Sequence, residues 1–164
     1  MKDNQLKYLC IAGLFAAILT LITLVVRVPI PNTSGYVNFG DSVIYLFASL
    51  LPSPYIALAA GIGSALTDLF AGAAIYILPT FVIKALMAYT ASKMIYGQED
   101  FRRIFLALLL CEAFMVIGYF LYELLMYGVA AASVAMLYNL AQYIANVIAG
   151  MLLIQSAKKL RIHL

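Results

Sequence analysis

Residues 68–87 read DLFAGAAIYILPTFVIKALM and are the most informative part of the chain. An aspartate, Asp68, and a lysine, Lys84, lie inside runs of apolar residues long enough to cross a membrane. A charged side chain near the centre of a bilayer costs at least ~2.5–3.5 kcal/mol, so such residues are rare and are functional-site candidates by default. We therefore expect a membrane protein in which Lys84 and nearby acidic residues form a binding site.

The composition also indicates a membrane protein. Of the 164 residues, 66% are hydrophobic and 10% are charged, against about 25% charged in an average soluble domain. Such a chain cannot cover itself with a polar surface, which excludes an ordinary soluble globule. The formal charge of +3 comes from basic residues beside apolar spans, so we expect a lipid bilayer and no nucleic acid as partner.

Apolar segments separated by prolines and polar clusters predict a single domain, residues 1–164, with an all-α bundle of six transmembrane helices. The predicted spans are residues 8–28, 41–52, 55–72, 74–96, 104–127 and 130–156. Most reach the ~20 residues that a membrane-spanning helix needs. The second measures only ~18 Å, so neighbouring helices should shelter it. The first is longer than a signal-peptide core, and we expect it to be retained.

Lysine and arginine residues predict the orientation. If the N-terminus is cytoplasmic, the inner side collects Lys2, Lys7, Lys93, Arg102, Arg103, Lys158, Lys159 and Arg161. The outer side then holds only Arg27. This positive-inside pattern predicts that both termini are cytoplasmic. The single histidine, His163, lies in the C-terminal tail and is expected to be solvated.

The first external connection is the longest. Residues 29–41 read PIPNTSGYVNFGD. Their proline, glycine, asparagine and serine content predicts a turn-rich loop. Tyr36 and Phe39 are apolar enough for this loop to fold back over a site.

Polar side chains gather in the outer half of the predicted bundle. Tyr76, Thr80 and Lys84 recur every four residues on one face of span four, and four polar residues on span six follow an i, i+3, i+4, i+7 pattern. The candidate binding residues are Tyr36, Asn38, Asp41, Asp68, Tyr76, Thr80, Lys84, Tyr119, Glu123, Asn139, Gln142, Tyr143 and Asn146. The inner half has almost no polar residues, which predicts an outward-facing pocket rather than a pore. Tyrosine rings, amides and carboxylates together suit a flat heteroaromatic ligand with hydroxyl groups.

Each of these residues also has a structural interpretation. Asp41 can be the N-cap of span two, and Asp68 can form an ion pair with Lys84. Glu123 can be solvated near the interface, whereas the deeper Glu112 can bridge helices by hydrogen bonds. The amides of span six can simply hold helices together.

A ridge of small residues marks span one. Ala12, Ala16 and Thr20 recur at i, i+4 and i+8. Such ridges allow close helix approach, either within the protein or toward a partner. The sequence leaves both interpretations open.

These features resemble the substrate-capture S component of energy-coupling factor (ECF) vitamin transporters. The resemblance covers essentially the whole chain and rests on NFGD at residues 38–41, the turn at 68–72, and Y-x-x-P-T-x-x-x-K at 76–84. It implies high-affinity capture of a vitamin from outside a prokaryotic cell, followed by association with a transmembrane T component and two cytoplasmic ATPases. The ridge of Ala12 and Ala16 resembles the family's docking surface for the T component.

The resemblance also implies a substrate class. The motifs at residues 38–41 and 76–84 are most similar to the branch that includes pyridoxine and hydroxymethylpyrimidine carriers. Vitamin B6 is therefore the expected ligand, with hydroxymethylpyrimidine, riboflavin or pantothenate as alternatives. Lys84 is expected to face a phenolate-like oxygen, and Glu123 or Asp68 a ring nitrogen.

Functions of other classes are less well supported. The chain has no G-x-x-x-x-G-K-[ST] loop, so it is not the ATPase. An intramembrane enzyme could use Asp68 with Glu112 or Glu123 as an acid/base pair, but no nucleophile, metal or cofactor motif accompanies them. A structural membrane subunit remains possible. An autonomous secondary transporter is expected to have inverted repeats, which are not evident here.

Overall fold

A computed structural model describes the backbone of residues 2–160 and the side chains of residues 5–160. The tail that contains Arg161 and His163 lies outside this range, so its predicted environment remains an expectation. In chain order the elements are α1 (Lys2–Val25), β1 (Arg27–Pro29), β2 (Tyr36–Asn38), α2 (Gly40–Leu50), α3 (Ser53–Ala71), a 3₁₀ turn (Ala74–Tyr76), α4 (Ile77–Ile95) and α5 (Phe101–Lys159).

Helix α5 folds back on itself at Gly128. The backbone angles there, φ 80° and ψ 174°, belong to a region that only glycine adopts readily. The arms before and after this residue pack together in opposite directions: a Cβ atom built on Gly150 would lie 3.1 Å from Leu108, and the Gln142 amide lies 3.9 Å from the sulfur of Met115. The break falls between the predicted fifth and sixth spans.

The structure confirms an all-α membrane protein. Within the described range, four helices are long and apolar enough to span a bilayer, and the longest is the 59-residue α5. Each arm of α5 is at least ~40 Å long, which exceeds the hydrocarbon thickness. Helix α2, with 11 residues, is as short as expected. The count of six crossing segments stays a prediction, because length and composition identify four candidate helices.

The predicted loop contains a small β-hairpin. Strands β1 and β2 pair antiparallel, with Arg27 opposite Asn38 and Pro29 opposite Tyr36. Helix α1 consequently ends at Val25, three residues before the predicted boundary at Val28. The residue before a proline is disfavoured in a helix, and β-branched valines favour the extended backbone, which explains the earlier end.

The two ends of the bundle differ in charge. We call the half beside the β-hairpin the hairpin half, and the other the distal half. The N-terminal end of α1 and the C-terminal end of α5 both lie in the distal half. There the Lys158 ammonium donates to the Gln98 carbonyl at 2.5 Å. Arg27, in β1, lies in the hairpin half. This grouping matches the sidedness of basic residues expected from the sequence.

The small-residue ridge of α1 faces the inside of the bundle. Ala12 is buried, and a Cβ atom on Gly63 of α3 would lie only 2.8 Å from the carbonyl oxygen of Ala16. The Thr20 hydroxyl donates to the Gly63 carbonyl at 2.9 Å. The contacts of Ala16 and Thr20 with α3 favour the interpretation of internal packing, and the docking role of Ala12 and Ala16 stays a prediction. Small residues suit both kinds of contact, so the pattern could not distinguish them.

Candidate functional site

A cavity lies in the hairpin half, between the β-hairpin and helices α1 to α5. It holds about 490 Å³ of empty space, including the part open to the outside. Its lining residues are Thr23, Ile30, Gly35, Tyr36, Asn38, Gly40, Asp41, Ser64, Asp68, Tyr76, Thr80, Lys84, Tyr119, Glu123, Asn139 and Gln142. Eleven of the predicted site residues are in this set, so the polar side chains do converge on one space.

A buried ion pair forms one wall of the cavity. The Lys84 ammonium on α4 lies 2.5 Å from the Asp41 carboxylate on α2, and both side chains are at most 4% exposed. The Gln142 amide on α5 donates to the other oxygen of Asp41 at 2.8 Å. The Asp41 carboxylate thus joins three helices. A buried charge is tolerated only when it is paired and hydrogen-bonded in this way.

Two structural interpretations of these residues are wrong. Lys84 pairs with Asp41 and not with Asp68. Asp41 makes no capping hydrogen bond at the start of α2; instead the side-chain oxygen of Asn38 accepts from the Gly40 amide at 2.7 Å. The sequence indicates depth along each helix but not which helices are neighbours, so it could not identify the partner of Lys84.

Two tyrosine–carboxylate pairs form another part of the cavity wall. The Tyr36 hydroxyl donates to one oxygen of Asp68 at 2.5 Å, and the Tyr76 hydroxyl donates to one oxygen of Glu123 at 3.1 Å. Asp68 and Glu123 are 3% and 1% exposed. Glu123 is therefore a buried cavity residue and not a solvated interfacial one.

Aromatic rings lie beside the ion pair. The Tyr119 hydroxyl donates to Thr80 at 3.0 Å, and the Lys84 ammonium lies 5.4 Å from the Tyr119 ring centroid. The ring of Tyr76 lies 6.3 Å from that of Tyr119. These rings give the polar cavity an aromatic side on which a flat ligand can pack.

The four predicted polar residues on the second arm of α5 do not all have the same surroundings. Asn139 and Gln142 line the cavity, whereas Tyr143 and Asn146 do not. Tyr143 is half-buried and packs against the apolar core, because adjacent helical residues point about 100° apart. Asn146 accepts from the Ser42 amide at 2.9 Å and donates to the Asn38 carbonyl at 2.9 Å. Its role is to fasten helices, as the structural interpretation held.

The β-hairpin closes the cavity as a lid. The Asn38 amide donates to the Gln142 side chain at 2.7 Å, and Tyr36 holds Asp68 from above. Burial and the Asp68 carboxylate raise the pKa of the Tyr36 phenol above its ordinary value, so this hydroxyl remains a donor. A Cβ atom on Gly40 would lie 2.5 Å from the Thr23 hydroxyl, so glycine lets α2 begin close to α1.

The sequence interpretation missed four lining residues other than Gly40. Ser64 precedes Asp68 by one helical turn, and Thr23 continues the ridge that contains Thr20, so spacing alone could have identified both. Ile30 and Gly35 lie in the turn of the hairpin. Only knowledge of how that turn folds back would have indicated them.

Glu112 lies outside the cavity. Its side chain is fully buried, and neither carboxyl oxygen has a hydrogen-bond partner within the part of the chain that the structure describes. The expected bridging hydrogen bond between helices is thus not formed.

The fold and the cavity agree with two comparisons. A family model described as "ECF-type riboflavin transporter, S component" matches residues 3–159. An "Uncharacterized protein in gap 3'region" from Pyrococcus woesei is 37% identical over 132 residues, which cover 80% of this chain and 88% of that protein. Membership of this family implies a vitamin ligand, a T component and ATPases as partners. The chain therefore belongs to the ECF-type riboflavin transporter S component family and is a substrate-binding membrane subunit of a vitamin transporter, not an enzyme.

Proposed function

We propose that the cavity of the hairpin half captures a small heteroaromatic vitamin from outside the cell. The observation that carries this proposal is the convergence on one space of polar side chains from β2, the 3₁₀ turn and all five helices. The basic residues of the distal half support an orientation with both termini in the cytoplasm. In that orientation the lid faces outward and delivery proceeds through the partner subunits.

Pyridoxine is the first ligand that the geometry favours. An ammonium group carries three N–H donors, and within residues 5–160 that of Lys84 has a hydrogen-bond partner for one, Asp41. The remaining donors can bind a phenolic oxygen, while the rings of Tyr76 and Tyr119 can pack on a single flat ring. Asp68, Glu123 and Asn139 supply polar groups for the substituents.

Riboflavin is the second candidate. It is favoured by the description of the family that the chain matches. Riboflavin has three fused rings and a polyhydroxyl chain, so it needs the lid to open wider than pyridoxine does. Hydroxymethylpyrimidine and pantothenate are smaller alternatives for the same cavity.

The test begins with native mass spectrometry of the purified subunit to identify a co-purifying small molecule. Calorimetric titration with pyridoxine and with riboflavin then gives the affinities. Lys84→Ala should weaken binding of the preferred vitamin at least ~10-fold, or ~1.4 kcal/mol. Lys93→Ala, an exposed lysine on the same helix, is the matched control and should leave the affinity unchanged. Equal affinities for wild type and Lys84→Ala would remove the cavity from vitamin binding.

The T component is proposed to dock on the outward face of α1. Gly13 and Ala17 are exposed there, and a Cβ atom on Gly13 would meet nothing within 4 Å. A partner helix can approach closely at such a small-xxx-small pair. This face is more exposed than the neighbouring ridge, in which Ala12 is buried and Ala16 is partly exposed.

A further inference from the structure

The cavity wall carries more acidic than basic side chains. Among the described residues that line it, Asp41, Asp68 and Glu123 are carboxylic acids and Lys84 is the only base. Asp41 already neutralises Lys84 through their buried ion pair. Asp68 and Glu123 are each held by a neutral tyrosine hydroxyl instead. Arg27 also lies near the mouth, with its guanidinium 5.9 Å from the Tyr36 ring centroid, but it is exposed and outside the lining.

Each of these two carboxylates has a free acceptor. Tyr36 donates to Oδ1 of Asp68 and Tyr76 donates to Oε1 of Glu123. The second oxygens, Asp68 Oδ2 and Glu123 Oε2, are buried and have no hydrogen-bond partner in residues 5–160. A buried acceptor without a donor destabilises a fold, so the chain keeps both at a cost that a ligand can offset.

A third unpartnered atom belongs to the second arm of α5. The side-chain nitrogen Nδ2 of Asn139 is a buried donor without an acceptor in the described part of the chain. Besides the Lys84 ammonium, the cavity therefore presents two carboxyl acceptors and one amide donor to its occupant. The complementary ligand has at least two N–H or O–H donors, a positive charge and one acceptor.

We propose, on the basis of the proposed vitamin capture, that the cavity selects a cationic form of its ligand, a small heteroaromatic molecule with a protonated amine or ring nitrogen. Asp68 and Glu123 accept hydrogen bonds from that group, and Asn139 donates to an oxygen on the same ring. A charge-assisted hydrogen bond is roughly twice as strong as a neutral one, so charge dominates the selection. Phosphorylated, anionic forms of the same vitamin are rejected because like charges face each other.

The experiment uses the full-length subunit in lipid nanodiscs and calorimetric titration with four probes. These are pyridoxamine, which carries a primary ammonium group, pyridoxine, pyridoxal 5′-phosphate and riboflavin. Pyridoxamine should bind at least ~100-fold more tightly than pyridoxal 5′-phosphate, because two carboxylates act on the charge difference. Sodium and potassium chloride titrations serve as inorganic cation probes.

Two isosteric variants locate the effect. Asp68→Asn and Glu123→Gln should each weaken pyridoxamine ~10-fold and lower its preference over pyridoxine. Glu99→Gln is the matched control, because Glu99 is an exposed carboxylate in the distal half, where it pairs with Lys158. It should leave all affinities unchanged. The selectivity of the wild-type protein tests the proposal even where a variant does not fold.

The outcomes separate this inference from the proposed function. Binding of pyridoxine or riboflavin without discrimination against the phosphate overturns the charge selection and leaves vitamin capture intact. Absence of binding of all four probes overturns the proposed capture and this inference with it. Saturable binding of sodium or potassium that blocks pyridoxamine overturns the selection of an organic cation. Unchanged selectivity in both variants overturns the assignment to Asp68 and Glu123.

Discussion

The hairpin half and the distal half of the bundle differ in whether their buried polar groups have hydrogen-bond partners. In the distal half, buried residues such as Ala91, Ala107 and Ile154 are apolar, and the buried hydroxyl of Ser92 is satisfied by the Leu51 carbonyl at 2.8 Å. In the hairpin half, buried polar atoms of Asp68, Glu123 and Asn139 remain without partners in residues 5–160.

On the proposed function, this difference is a loss of stability at the place where the ligand binds. Lipid offers no hydrogen bonds, so an unsatisfied polar group within the bilayer is costly. The distal half avoids that cost, whereas the hairpin half retains it around one cavity. Glu112 is the exception, since its carboxyl oxygens have no hydrogen-bond partner in residues 5–160 and yet it lies outside the cavity. Packing thus accounts for the distal half, whereas the unpartnered atoms of the hairpin half belong to residues that line the cavity.

The largest effect is expected from breaking the buried ion pair. Asp41→Ala leaves the Lys84 ammonium buried without its carboxylate, which should destabilise the subunit by ~3–5 kcal/mol. The double variant Asp41→Asn/Lys84→Met removes both charges and should recover most of this stability without recovering ligand binding. Denaturant unfolding in detergent micelles measures the first effect and calorimetry the second. If the double variant bound ligand normally, the pair would be a purely structural feature of the hairpin half.

A smaller effect is expected from the two faces of α1. Ala12→Leu adds volume against α3 and should lower the unfolding free energy by ~1–3 kcal/mol. Gly13→Leu, one residue further along, should leave the isolated subunit stable but weaken assembly with the T component, measured by co-purification. The opposite result, with loss of assembly confined to Ala12→Leu, would identify the ridge of Ala12 and Ala16 as the docking surface.

The smallest effect is expected at the lid. Tyr36→Phe removes the hydrogen bond to Asp68, worth about 1 kcal/mol, and should speed ligand dissociation roughly fivefold. Stopped-flow displacement measures this rate. Tyr89→Phe, a tyrosine near the distal end of α4, is the control and should not alter the rate. Identical rates for Tyr36→Phe and wild type would mean that the hairpin does not limit ligand release.

The sequence predicts the helices and most of the cavity wall for one physical reason. Polar residues in lipid must face inward, so the four-residue spacing of Tyr76, Thr80 and Lys84 is enough to place all three on the cavity side of α4 and of the 3₁₀ turn before it. The same reasoning cannot identify the partner of Lys84, because its depth along α4 is compatible with an ion pair to either Asp41 or Asp68. That choice depends on the lateral order of the helices.

Two other features were hidden for different reasons. The hairpin depends on pairing between Arg27–Pro29 and Tyr36–Asn38, and strands of three residues have no periodic pattern to read. The close approach of Ala16 to α3 depends on Gly63, which lies 47 positions away in sequence. Small residues on a helix indicate that something approaches closely, but they do not identify it.

The reversal at Gly128 fixes the length of the chain between two cavity residues. Glu123 precedes it and Asn139 follows it, and both side chains reach the same space. One inserted residue between them would rotate the following arm by about 100° and carry Asn139 and Gln142 away from the cavity. Evolution can therefore vary side chains in this segment far more freely than it can add or delete residues.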